Sequence, residues 1–144
     1  MNPSIAEALG IRFHHLGLLT DLPAAATTAL TLLGYSVAEP VHDPLQGVDL
    51  RMAEGDNEFA RIEIITPGSS DSALSKMVKR RGDCMYHSCF TVKDVNATLA
   101  SLAELGLRVI TVSAPKPAVL FGGKQVSFHS VEGLGLVEFI EDGS

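Results

Sequence analysis

Apolar residues crowd RFHHLGLL, Arg12 to Leu19, densely enough to predict a buried strand. Neighbouring side chains on a strand face opposite ways, so only one of His14 and His15 looks into a given cavity. Asp21 then stands as an N-cap, Pro23 is tolerated in a first helical turn, and Leu22, Ala26, Ala29 and Leu33 recur at helical spacing. The pattern predicts a helix over Leu22 to Leu33, ended by Gly34. YSVAEP, GVDLRMA and EFARIEIIT alternate as three strands, the last two joined by a turn at Gly55 and Asp56. Pro67 and Gly68 break the pattern, and SALSKMVKRR follows as a helix with Leu74, Met77 and Val78 on one face.

The order then repeats. MYHSCFTV reads as a strand, Asp94 as an N-cap, and Val95, Leu99 and Leu102 mark a helix closed by Gly106. Leu107 to Val112 predicts a strand, APKPAVLFGGK a loop, and KQVSFHS with LGLVEFIE a hairpin around Glu132 and Gly133. His15 stands as far before Gly34 as His87 stands before Gly106. Late in each copy a strand carries a carboxylate, Glu63 in ARIEII and Glu138 in GLVEFI. The register selects His15 over His14, and two such units set four candidate metal-ligand side chains, His15, Glu63, His87 and Glu138, facing one another across a pseudo-twofold axis. Module one is expected over about 11–67, a linker helix over about 69–82 and module two over about 84–142, within a single domain.

Composition narrows the classes. A chain of 144 residues can bury a core without staples. The longest apolar stretch, LPAAATTALTLL, is too short and too rich in threonine to cross a bilayer, and the start MNPSIAEALG has no export pattern. A cytoplasmic protein with no membrane partner is the expectation. A net charge of −6 without a long basic block argues against a nucleic-acid surface. Cys84 and Cys89 lack CxxC spacing and read as reduced thiols.

HLGLLTDLPAA, PLQGVDLRM, IEIITP, HSCFTVKDV, APKP followed by FGGKQVSF, and GLVEFIE occur in the order in which similar strings occur in the vicinal oxygen chelate superfamily. The chain resembles the glyoxalase and methylmalonyl-CoA epimerase relatives of that superfamily over nearly its whole length. The resemblance implies an α+β fold of two tandem βαβββ modules, their curved mixed sheet wrapped around one cleft that holds one divalent ion of cobalt, nickel, zinc, manganese or iron. It also implies a homodimer and a carbonyl or acyl-thioester substrate. In epimerase-like members a further acid sits on the third strand; ungapped pairing from QGV puts Leu50 there, with Asp49 one position early and on the opposite face.

Each candidate has a plainer alternative. His15 alone would be a core histidine, and RIEI would be an ordinary strand with Arg61 and Glu63 facing water. Glu138, flanked by Val137 and Phe139 with Leu136 and Ile140 on its own face, is costly to bury without a partner. Two imidazoles and two carboxylates make a borderline-to-hard site with positions open for substrate oxygens. Such a centre stabilises an enolate while a carboxylate moves the proton, with Glu138 the leading base and Glu63 its counterpart. His14 reads as structural, His42 and His129 have no counterpart in the repeat, and Cys89 reads as a small buried thiol on the face of His87. Lys76, Lys79, Arg80 and Arg81 read either as a solvated helix face or as contacts for a coenzyme A phosphate. FGGK lacks the GxxxxGK pattern of a phosphate cradle and reads as a loop able to close over substrate.

The expected activity is a metal-dependent isomerase or epimerase working beside a carbonyl or thioester. A lactoylglutathione lyase using the same ligands is one alternative. A metal-free binding or resistance protein of the same fold is the other.

Overall fold

The computed structural model describes residues 3–143. In chain order the elements are α1 (Pro3–Leu9), β1 (Arg12–Leu19), α2 (Pro23–Leu32), β2 (Ser36–Val37), β3 (Val41–Asp43), β4 (Val48–Glu54), β5 (Ile62–Pro67), α3 (Ala73–Arg81) and β6 (Cys84–Val92). They continue with α4 (Val95–Glu104), β7 (Val109–Pro117), a 3-10 turn (Val119–Phe121), β8 (Gln125–Val131) and β9 (Gly135–Glu141). The class is α+β, as the sequence led us to expect. The chain packs as two units: residues 15–86, here the central unit, and residues 1–14 together with 87–144, the flanking unit.

In the central unit the strands run in the order β2-β4-β5-β1, with β3 pairing β4. β1 and β5 are parallel, and β4 is antiparallel to β5. One sheet face is apolar because Leu18, Ala53, Ile62 and Ile64 meet Ala26 and Leu30 of α2. Strand alternation turns Gly17, Leu19, Glu63 and Ile65 to the other face. α2 forms largely where expected, but Asp21 is not its cap. Leu22 holds the N-cap position without a side-chain bond, and Leu22 N–H donates instead to Thr20 Oγ1 at 2.9 Å. β3 was not expected. Its Asp43 is fully buried and accepts from the N–H groups of Leu45 and Gln46 and from the Gln46 amide, a local turn network that a hydrophobicity pattern does not reveal.

The flanking unit repeats this plan as β6-β9-β8-β7. β6 and β9 are parallel, β8 is antiparallel to β9, and β7 completes the meander. Val92, Val131, Val137 and Phe139 pack against Val95, Leu99 and Leu102 of α4. Asp94 caps α4 by accepting from Ala97 N–H at 3.0 Å, and Gly106 ends the run at a φ of 85°, where a Cβ would be strained. β7 runs to Pro117, so the first part of the expected APKPAVLFGGK loop is strand. α1 was not expected either. Seven residues are too few to show a period, and the helix is held by contacts within this unit, with Lys93 N–H donating to the Leu9 carbonyl at 3.0 Å.

Candidate metal centre

Each unit buries one histidine beside one glutamate. In the central unit His15 on β1 is wholly buried and its Nε2 lies 3.5 Å from Glu63 Oε1 on β5. In the flanking unit His87 on β6 and Glu138 on β9 are both buried, with Nε2 and Oε1 3.2 Å apart.

The two pairs share one register. Gly17 pairs with Glu63, and Cys89 pairs with Glu138. Each histidine therefore sits two residues before the residue opposite its glutamate, and positions two apart on a strand share a face. The sequence repeat is thus a repeat of side-chain placement within each unit. Glu63 does not face water as RIEI by itself would allow. Only Arg61 does, and its Nε donates to Glu54 Oε1 at 2.8 Å.

Metal bonds of about 2.0–2.2 Å put neighbouring donor atoms about 3.0–3.5 Å apart. Both His–Glu separations fall in this range. A buried carboxylate also needs a positive partner, which a divalent ion supplies and a neutral imidazole does not. The donors fit a metal on spacing, burial and ligand chemistry.

Around the pairs the faces are apolar. Met52 on β4 stands opposite Glu63, and Leu50 stands opposite Ile65. Phe128 on β8 stands opposite Glu138, and its ring meets the His87 ring edge-on at 5.2 Å between centroids. Met52 and Phe128 were not singled out from the sequence, and only the strand pairing makes them equivalent, because the offset that relates Glu63 to Glu138 carries Met52 to Ser127. Leu50 shares the Glu63 face, whereas Asp49 lies on the other face, its Oδ1 placed 2.9 Å from His42 Nδ1 to accept from that nitrogen, both side chains exposed. No acid occupies the slot where epimerase-like members carry their third-strand acid.

The remaining candidates make other contacts. Cys89 is fully buried among Ala118, Val126 and Ile140, with Phe121 packed alongside. His14 meets the Phe121 ring edge-on at 5.1 Å. His129 is buried on the opposite face of the flanking sheet, its Nδ1 3.0 Å from Thr111 Oγ1 and its Nε2 2.8 Å from Ser127 Oγ. Burial lowers its pKa below 6.5, so the ring stays neutral at physiological pH.

The family model of the glyoxalase/bleomycin resistance protein/dioxygenase superfamily matches residues 12–128. The chain belongs to this superfamily. Over 105 residues it is 29% identical to the mitochondrial methylmalonyl-CoA epimerase of Bos taurus, covering 72% of this chain and 59% of that protein. The chain thus spans a little under three fifths of that relative's length. The fold is shared with the methylmalonyl-CoA epimerase of Mycobacterium tuberculosis, at a TM-score of 0.70 and 20% identity over 92% of this chain and 88% of that one. It is also shared with a Streptomyces coelicolor methylmalonyl-CoA epimerase in complex with 2-nitronate-propionyl-CoA, at a TM-score of 0.67 and 24% identity over 92% and 98%. No helix among the described residues is long and apolar enough to cross a membrane.

Proposed function

We propose that His15, Glu63, His87 and Glu138 together hold one divalent metal ion in a single domain, and that the protein is an isomerase or epimerase moving a proton at the carbon beside a thioester or other carbonyl. The observation that carries this is the shared register of two buried His–Glu pairs, each spaced as neighbouring ligands of one ion. The similarity to methylmalonyl-CoA epimerases supports an acyl-CoA as the substrate class.

When bound, the ion supplies Lewis acidity to the substrate oxygens as negative charge develops on them. The histidines fix two donors from rigid strands, so the site is organised before substrate arrives. Glu138 is the leading proton carrier. Its carboxylate takes the proton from the carbon and returns it, and Glu63 occupies the matching place in the other unit. Leu19, Leu50, Met52 and Ile65 on the Glu63 face of the central unit, and Cys89, Val126, Phe128 and Ile140 on the Glu138 face of the flanking unit, keep water from competing for that proton.

Leu50 favours a second reading. Without a third-strand acid, proton transfer falls to the ligand carboxylates, as in lactoylglutathione lyase chemistry on the same scaffold. Metal analysis followed by solvent deuterium uptake separates the readings. Uptake beside the carbonyl of a racemisable acyl-CoA supports the epimerase-like activity, and conversion of a hemithioacetal supports the lyase. If neither substrate reacts with metal-loaded protein, and stripping the metal leaves small-molecule binding unchanged, the protein is a binding module instead.

A homodimer is part of this proposal. α2 exposes Leu22, Leu32 and Leu33 of its segment, apolar surface that association would cover. Sedimentation at micromolar concentration that finds only monomer refutes it.

A further inference from the structure

In the central unit a cavity of about 360 Å³ opens where β5 ends and α3 begins, lined by Thr66, Ser69, Ser70, Ser75 and Lys79, with the exposed Asp21 as the one acid in its lining. Three features converge on it. At the start of α3 the N–H groups of Ala73 and Leu74 have no carbonyl one turn earlier to bond, and the helix dipole is positive there. Ser75, in the first turn, is only 3% exposed. Its N–H is capped by Ser72 Oγ at 3.1 Å, while its own hydroxyl has no hydrogen-bond partner among the described residues. Lys79, one turn further on, reaches back over the loop to within 3.5 Å of the Ser70 carbonyl.

The charge pattern agrees. The chain carries a net charge of −6, yet α3 presents Lys76, Lys79, Arg80 and Arg81, and none of them forms an ion pair with a described carboxylate. The hydroxyl of Ser75, the helical N–H groups of Ala73 and Leu74 and a lysine around a water-accessible cavity suit a tetrahedral anion rich in acceptor oxygens.

We propose that this cavity is a phosphate subsite and that it takes the phosphorylated tail of the acyl-CoA. The assignment to that tail rests on the acyl-thioester reading above; the assignment to a phosphate does not. Pro67, at the cavity, lies four residues beyond Glu63 on the same strand face, which is about 13 Å along β5. A ligand that reacts near Glu63 and is gripped here must be elongated, with its anionic groups far from the reacting carbon. Coenzyme A thioesters have this form.

The test uses binding, so it needs no turnover. Coenzyme A, pantetheine and inorganic phosphate are titrated calorimetrically into the whole protein and into Ser75→Ala, Lys79→Ala and Arg81→Ala. Ser75→Ala and Lys79→Ala are each expected to weaken coenzyme A binding about tenfold and to leave pantetheine unaffected. Arg81→Ala removes the same charge at the other end of α3 and is expected to change affinity by less than about twofold. Coenzyme A and phosphate both binding equally well to parent, Ser75→Ala and Lys79→Ala overturns the proposal. Phosphate binding that these variants lose, with coenzyme A unaffected, overturns the assignment to the thioester tail. Lys79 is exposed, so its variant gives the answer even if Ser75→Ala folds poorly. A protein that binds coenzyme A in this way but exchanges no proton keeps the subsite and loses the proposed activity.

Discussion

The central and flanking units build the same His–Glu pair in different surroundings. Next to the central pair, Gly17 stands opposite Glu63 and Met52 flanks it; next to the flanking pair, those places are taken by Cys89 and Phe128. On the reverse face, the position after Met52 is the fully buried Ala53, whereas the position after Phe128 is His129, bonded to Thr111 and Ser127. Positions that only fill volume differ freely between the units, because packing asks for size and apolarity more than identity. The positions with donor atoms match, because a donor one residue out of register would point through the sheet to the other face.

The comparison can be broken most severely at the carboxylates. Glu138→Gln keeps the shape of the side chain and removes the base, so proton exchange should slow about 10²–10⁴-fold by solvent deuterium uptake. His14→Ala should leave the rate within about tenfold of the parent, since that ring packs on Phe121 and is outside the proton path. Equal losses in the two variants would remove Glu138 from the proton path.

Metal retention asks whether the pairs act together. If one ion takes a ligand pair from each unit, His15→Ala and His87→Ala should each lower its affinity by about a hundredfold or more, read by calorimetry or metal analysis. Adding metal at about 100 times its Kd should stabilise the parent protein by about 2.7 kcal/mol against thermal unfolding, and a chelator should reverse this. Loss of metal from only one of the two histidine variants would mean that one unit binds it alone.

Acid stability should separate the units. His129 titrates below 6.5 in the folded protein, so the unfolded chain binds that proton more readily. Its contribution is intact above pH 6.5 and is lost as the pH falls from 6.5 towards the lower folded value. Denaturant unfolding across that range should show the loss in the parent, and His129→Leu should flatten it while lowering the baseline by leaving Thr111 and Ser127 unpaired.

Helix caps give the smallest contrast. Asp94→Ala should cost about 1 kcal/mol, because it removes the bond to Ala97 N–H. Asp21→Ala, one residue before the place that matches Asp94 in the repeat, should cost within about 0.5 kcal/mol of nothing, because α2 takes no side-chain cap. Equal costs in chemical denaturation would mean that Asp21 caps α2 after all.

Much was legible in the sequence. β1 runs over the residues its pattern predicted, and α3 forms within SALSKMVKRR, where the helical spacing places it. Alternation and periodicity report which face of an element is apolar, and the repeat reports which residues occupy matching positions. Alternation also separated Asp49 from the Leu50 slot, since a one-residue offset on a strand reverses the face.

Other features were decided by the tertiary structure. α1 is too short to show a period and is held by contacts with residues distant in sequence. Asp21 and Asp94 look alike in sequence, yet Thr20 Oγ1 takes the Leu22 N–H at the start of α2. Glu63 sits in a string that suits a water-facing strand as well as a buried one, and only the pairing of β5 between β1 and β4 puts it at 4% exposure beside His15. Sequence spacing determines which side chains share a face. Which face is buried, and which donor meets which acceptor, depends on strands brought together from distant parts of the chain.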